Sequence, residues 1–388
     1  MTKLTSAYIG LTEVHETLPA DYYLDSGHYA RELKAIWYRN WIYVCRSEIL
    51  DEPRKFRTVG IGSQNVLVLR DENGDLQAFH NTCRHRGSVL CIESEGTLRT
   101  KSIICPYHNW SYSLQGELQR TTSKQCPAGF DKRDYPLYKV VVDEWKGFIF
   151  VNLAGEEAVP LADSFQEDSA NLDNWPMQSL KLGHSYQKTM ACNWKIFWEN
   201  FNECLHCPSV HPELCKIVPI YGRGQMDPAE NPNWADHQDS TDPKLIGGMR
   251  EGAETWTFDG QPIGKPFAGL SEKERKTAHH FVVNQPSIFI AAHIDYIRIV
   301  RLLPLGPEKT EMRVEWLFSE ETLADKSIDI VKAASFAKMV MQQDAFVSEL
   351  NQKGLHCIQH KHGVLMAEEY DVLTFQNWVR EQLKNPQS

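Results

Sequence analysis

The sequence lacks what would tie it to a membrane, a nucleic acid or an oxidising compartment. No run approaches the ~18 consecutive apolar residues that a bilayer-spanning helix needs. Residues 1 to 25 hold no apolar leader core and no amphipathic arginine-rich pattern, so a cytoplasmic location is expected. Like charges never gather into a block, and the net charge of −10 argues against nucleic acid or an anionic membrane as partner. Of the ten cysteines, Cys45, Cys91, Cys126, Cys192 and Cys357 have no partner at ligand spacing. Reduced thiols and metal ligands are expected here, not a disulfide framework. The rest is ordinary: 42% hydrophobic and 24% charged over 388 residues, enough for two domains with separate cores.

Helical spacing of Tyr29, Leu33, Ile36 and Trp37 marks 26 to 41 as a lead-in helix. From Ile42 the apolar period becomes two. Strands are expected at 56–61, 65–70 and 76–80, with Asn73-Gly74 turning the last two into a hairpin. Further strands at 138–142 and 147–153 close a β domain, and Gly155 to Pro160 breaks the pattern. The expected organisation is therefore a lead-in (1–41), a β domain (42–155) and a second domain (156–388).

The β domain carries Cys83-x-His85 and Cys105-x-x-His108, each pair in a loop beside a strand. Two cysteines on one iron and two histidines on the other are the ligands of a Rieske [2Fe–2S] cluster, whose neutral imidazoles raise its potential. A two-Cys, two-His zinc site is the rival, but the single-residue Cys-x-His gap is short for one.

In the second domain a strand at 183–190 runs into a helix expected over 193–205, with Trp194, Phe197, Trp198 and Phe201 as one aromatic stripe. Glu199, Asn202, Glu203 and His206 share an adjoining face. Pro208 should end or kink the helix and let His211 turn toward His206. Two histidines and a carboxylate from elsewhere make a facial triad with positions open for dioxygen on Fe(II). Zinc on Cys204, His206, Cys207, His211 and Cys215 is the competing arrangement, and it lacks a second regular pair. Residues 221 to 269 are irregular and are expected to cover a site, with Trp234, Trp256, Phe258 and Phe267 as wall residues. Strands at 281–292, 296–303 and 311–318, with 304–307 as a turn, imply an antiparallel sheet. The long helical pattern at 327–353 holds Asp344 and Glu349; either can supply the third ligand, and periodicity does not choose between them.

Along its whole length the chain resembles the catalytic α subunit of Rieske non-haem iron oxygenases. The family's cluster pattern matches Cys83, His85, Cys105 and His108, and its iron pattern matches Glu203, His206 and His211. The late Asp-x4-Glu-x2-Gln pattern matches Asp344, Glu349 and Gln352, which makes Asp344 the ligand. The resemblance implies an α+β fold, with an all-β Rieske domain followed by a helix-grip (START-like) catalytic domain. It also implies a head-to-tail homotrimer, in which Glu203 bridges the cluster of one subunit and the iron of the next. Three departures are visible: Glu203 stands where aromatic dihydroxylating members usually carry Asp, Asn109 replaces the usual Gly after His108, and the 222–269 segment carries no recognised motif.

Glu203 followed by Cys-x-His-Cys-Pro is similar to the branch that oxidises quaternary ammonium compounds. That implies a terminal oxygenase using O2 and electrons from an NAD(P)H-dependent reductase, with or without a ferredoxin. The expected reaction is N-demethylation or hydroxylation of a small ammonium compound; ring hydroxylation of an aromatic carboxylate is the alternative. A carrier that kept the cluster and lost the iron is the third reading, against which the full His206, His211 and Asp344 set stands. Glu199 and Asn200 occupy positions the family uses to line the pocket, with Trp198, Phe289 and Tyr296 as weaker candidates; Glu199 is expected to face a cationic substrate.

Overall fold

The computed structural model describes residues 8–165, 172–237 and 240–384. The chain forms two compact units. One comprises Ile36–Gln166 with Asn284–Ile288, the other Met1–Ala35, Glu167–Val283 and Phe289–Ser388.

The smaller unit is built from short antiparallel ladders. Lys55–Ile61 pairs with Gln64–Arg70, and Gln64–Arg70 with Leu76–His80. A second sheet joins Ile42–Arg46, Phe148–Asn152 and Val141–Trp145. Every residue of Phe148–Asn152 is buried, as its unbroken apolar run requires. The hairpin before it turns at Lys146 and Gly147, both at positive φ. A Cβ on Gly147 would also lie 2.7 Å from the Arg46 guanidinium, so glycine is required there twice over. The strand expected from 138 starts only at Val141; ahead of it Lys139 makes an isolated bridge to Phe79. A third small ladder, Ile103–Ile104, Ser111–Tyr112 and Leu118–Arg120, carries the second Cys-His loop.

The larger unit centres on a five-stranded sheet in the order Lys181–Met190, Lys309–Phe318, Ile297–Gly306, Ile288–His293, His279–Asn284. The run expected as one strand over 281–292 is two, because Pro286 has no N–H to donate to a ladder. The turn expected at 304–307 is tighter than that: Pro304 still pairs with Thr310, and the hairpin closes from Gly306 to Lys309. The long helix runs Ile330–Leu355 and packs on the edge strand Lys181–Met190 and on the helix Trp194–Phe201. A second C-terminal helix, Tyr370–Leu383, also packs on Trp194–Phe201, burying Val372, Phe375, Gln376 and Val379. No helix among the described residues is long and apolar enough to cross a membrane.

The aromatic helix is anchored by a buried ion pair. Lys195 and Glu32 are both fully shielded and meet at 2.6 Å; Glu32 also accepts from the Trp194 indole at 2.9 Å. The Asn193 side chain caps the helix through the Lys195 amide, and the Asn193 amide donates to Gln352 at 2.7 Å.

Candidate metal centres

In the smaller unit the two Cys-His loops converge. Cys83 and Cys105 are buried, and the rings of His85 and His108 lie 4.7 Å apart, edge to face. Each cysteine starts a tight turn: the Gly87 amide donates to the Cys83 carbonyl, and the Asn109 amide to that of Cys105. Asn109 adopts φ +53°, a left-handed conformation that asparagine tolerates better than most residues, which explains how it stands in for glycine. The Tyr112 hydroxyl lies 3.2 Å from the Cys83 sulfur, and the Trp110 ring stacks on His85 at 4.7 Å. Burial raises the Cys83 thiol pKa, opposed by Tyr112. The cysteines are shielded while His85 faces solvent.

In the larger unit the helix expected over 193–205 stops earlier, spanning Trp194–Phe201 with Asn202 as its cap. Cys204 and Cys207 are joined by a disulfide, contrary to the expectation of reduced thiols throughout; the other cysteines are free. With two of its three sulfurs bonded to each other, the competing zinc set keeps only the Cys215 thiol. Pro208 does not end the first helix. It sits in the first turn of the short helix Cys207–Val210, where a missing N–H costs nothing. His211 lies between that turn and Pro212–Ile217, and its ring meets that of His206 at 5.1 Å, nearly perpendicular.

Asp344 reaches this pair from the long helix. Its Oδ1 lies 2.7 Å from Nε2 of His211 and 3.4 Å from Nε2 of His206. One ligand atom from each of the three residues falls within 4.8 Å of the others. Glu349 is elsewhere: it accepts from the Ala191 amide at 3.3 Å and pairs with Lys188 at 3.2 Å. The remaining imidazole nitrogens are engaged from behind. Glu203 holds Nδ1 of His206, and Gln343 lies 2.8 Å from Nδ1 of His211. Gln343 is the residue that sequence reasoning missed. Burial depresses the His206 pKa, but the Asp344 and Glu203 carboxylates outweigh it and push the imidazole up to about 9. Burial raises Asp344, and the two histidines reverse that, leaving its pKa below the ordinary carboxylate value.

The expected substrate-lining residues separate into groups. The Asn200 amide nitrogen lies 3.3 Å from the His206 ring. Glu199 accepts through Oε1 from Tyr23 at 2.6 Å and Gln376 at 2.9 Å. Burial pushes its carboxyl up to about 7 against those hydrogen bonds. Trp198 is fully buried against Phe201, Phe289 and Phe375, and Phe289 stacks on Phe201 at 4.0 Å. The buried Tyr296 donates to the Trp256 carbonyl. In the 221–269 segment Trp256 and Phe267 are buried, Trp234 is half-buried, and Phe258 is exposed with its ring edge-on to Phe336.

Residues 177–385 match the ring hydroxylating alpha subunit (catalytic domain) family, and residues 40–139 match the Rieske [2Fe-2S] domain. The chain belongs to the Rieske non-haem iron oxygenases. It is 28% identical over 387 residues to the glycine betaine monooxygenase oxygenase subunit of Chromohalobacter salexigens, covering 93% of this chain and 84% of that protein. The carnitine monooxygenase oxygenase subunit of Acinetobacter pittii is 30% identical over 221 residues, 56% of this chain and 58% of its own. The fold is that of the quaternary ammonium Rieske monooxygenase CntA, solved with γ-butyrobetaine, at TM-score 0.73 and 21% identity over 98% of this chain and 99% of that one. Naphthalene 1,2-dioxygenase from Rhodococcus sp. shares it at TM-score 0.69 and 20% identity over 95% of each chain.

As a Rieske oxygenase the protein is an oxidoreductase with a [2Fe–2S] cluster and a mononuclear iron. The donor sets fit both groups. Two shielded thiols beside two imidazoles are what a Rieske cluster takes, and a two-histidine, one-carboxylate face is what ferrous iron takes when dioxygen must also bind.

Proposed function

We propose that the protein is a terminal oxygenase that oxidises an N-methyl group of a small quaternary or tertiary ammonium compound. The observation that carries this reading is the similarity, over 93% of the chain, to an oxygenase subunit named for glycine betaine, in a chain whose iron face is intact. In this reading Cys83, His85, Cys105 and His108 hold the cluster, and His206, His211 and Asp344 hold the iron.

The bound groups supply electron transfer and dioxygen activation. For a quaternary substrate the balance is one N-methyl group, one O2, two electrons and two protons giving N-hydroxymethyl and one water. The N-hydroxymethyl group then loses a proton and splits its C–N bond, releasing formaldehyde and a tertiary amine. The electrons come from a separate NAD(P)H-dependent reductase.

The chain's own residues orient these parts. Glu203 fixes the His206 ring through Nδ1, and Gln343 does the same for His211, which leaves both Nε2 atoms toward Asp344. Asn200, beside His206, is the best-supported substrate contact. Glu199 accepts only through Oε1 among the described residues, which leaves Oε2 as a point of attraction for a cation, and Trp198 and Phe289, whose rings meet at 6.0 Å, supply apolar surface. A head-to-tail homotrimer completes the reading, with Glu203 carrying electrons from the neighbouring subunit's cluster. The exposed His85, together with Val89 and Tyr107 in the same two loops, suits a surface that meets another subunit.

The test is a reductase-coupled turnover screen of the iron-loaded enzyme with betaines, carnitine, choline and aromatic carboxylates. Formaldehyde equal to oxygen consumed, from a methylammonium compound, supports the proposal. A diol or phenol from an aromatic carboxylate, without formaldehyde, replaces it with ring hydroxylation.

A further inference from the structure

Within reach of the Asp344 charge, the larger unit buries a cation that has no ion-pair partner among the described residues. Arg298, in the strand Ile297–Gly306, is 1% exposed, and its Nε and Nη1 have no hydrogen-bond partner among the described residues. Its guanidinium lies 5.3 Å from the centroid of the Trp256 ring, whose indole N–H is also buried and unpartnered. Trp256 packs in turn against His293 at 5.3 Å, His279 at 5.3 Å and Tyr221 at 6.1 Å. Both ring nitrogens of His293 and Nδ1 of His279 are likewise buried without partners; Nε2 of His279 is 3.2 Å from the Tyr221 hydroxyl. Burial, with Arg298 adding to it, holds both imidazoles below their ordinary pKa, so each is neutral and keeps one N–H to donate.

Unpaired buried donors in this number are rare in folded proteins, because each forfeits its hydration without return. The acids that might serve are committed. Asp295 accepts from Thr255 at 2.7 Å and from the Ile263 amide at 2.6 Å. Asp344, whose charge acts on Arg298, is shared between His206 and His211. What the cluster lacks is an acceptor with negative charge, and the planar fork of a guanidinium suits a carboxylate.

We propose that Arg298, with the Trp256 indole and the His279 and His293 imidazoles, is a subsite for a carboxylate on the substrate. The substrate is then a zwitterion: its carboxylate is held at Arg298 while its N-methyl end is presented to His206, His211 and Asp344. The inference rests on the ammonium reading above and narrows it, favouring betaine-type substrates over amino alcohols.

Calorimetric titration of the metal-loaded enzyme without reductase tests it, since no turnover intervenes. The probes are glycine betaine and γ-butyrobetaine, which carry both charges; choline, which has the cation without the carboxylate; and 3,3-dimethylbutyrate, the carbon isostere of glycine betaine, which has the carboxylate without the cation. At least one betaine should bind at least about tenfold more tightly than choline, and Arg298→Gln should weaken that betaine at least about thirtyfold while leaving choline unchanged. Arg298→Lys, which keeps the charge and loses the fork, should fall between. Because Arg298→Gln removes an uncompensated buried charge, its melting temperature should equal or exceed that of the wild type.

Choline binding as tightly as the betaines, with Arg298→Gln indifferent to all of them, would overturn the subsite and leave the ammonium reading standing. Dimethylbutyrate matching glycine betaine, both lost in Arg298→Gln, would keep the subsite and remove the ammonium reading. Failure of every carboxylate to bind the wild type, or a large drop in melting temperature with carboxylate affinity retained in Arg298→Lys, would make Arg298 structural and sink the proposal.

Discussion

Nε2 of His211 lies 2.7 Å from Oδ1 of Asp344, across 133 positions of sequence. That contact joins the short turns after the aromatic helix to the long C-terminal helix, and it brings Asp344, not Glu349, to the two histidines proposed to hold the iron. Asp344→Ala should therefore lower iron per chain at least about tenfold, whereas Glu349→Ala should leave it unchanged. Metal analysis beside the visible absorption of the cluster checks this, because the cluster spectrum must persist in both variants.

Gln343 holds the far nitrogen of the same imidazole. Replacing it with leucine keeps the helix and removes the only group set to orient His211 from behind among the described residues. Iron affinity should fall about 10- to 100-fold, the usual effect of losing a hydrogen bond to a metal-bound histidine. Competition against a chelator gives the number.

Much of this arrangement was legible before any coordinates. Cys83, His85, Cys105 and His108 sit in loops beside strands at ligand spacing, and the strand periodicity that frames them holds within a residue or two. His206 and His211 were also legible as a pair. The means of pairing them was not, because helix propensity alone carries 193–205 through the Cys204–Cys207 turn, and a cross-link between those residues is invisible to periodicity. Gln343 was missed since a neutral side chain beside an acid has no motif of its own. The helix Tyr370–Leu383 was missed although Val372, Phe375, Gln376 and Val379 carry helical spacing. Glu32 and Lys195 stand 163 positions apart, and nothing local reveals that two charges far from each other in sequence will be buried together.

That pair makes its own prediction. Lys195→Met leaves Glu32 buried with, among the described residues, only the Trp194 indole donating to it, and should destabilise the larger unit by about 3–5 kcal/mol. Adding Glu32→Gln should recover much of the loss. Urea unfolding followed by tryptophan fluorescence measures both.

Glu199 should leave a mark on the pH dependence of stability. Its carboxyl is raised from 4.5 to about 7 in the folded protein, so between those values the folded state binds more protons than the unfolded one. Stability contributed by this group is thus present at low pH and is lost as pH rises from about 4.5 to about 7. Glu199→Gln, whose amide oxygen still accepts from Tyr23 and Gln376, should flatten that part of the profile. It should gain about 2 kcal/mol over wild type at pH 8, a linkage value discounted for partial exposure. Denaturant midpoints of both proteins at pH 5 and pH 8 test the sign; the subtraction removes the parallel contribution of Glu230, whose carboxyl burial also pushes up to about 7.

In this account the one electron held by the reduced cluster, with one from the ferrous iron, would supply the two electrons spent on an N-methyl group. A single-turnover experiment addresses it without any reductase: the cluster is reduced chemically, oxygen is excluded, the enzyme is mixed with a betaine, and oxygen is then admitted. The account predicts that cluster reoxidation and formaldehyde release rise together and that both slow in Glu203→Gln. Reoxidation of the cluster with no formaldehyde from any methylammonium compound would contradict it.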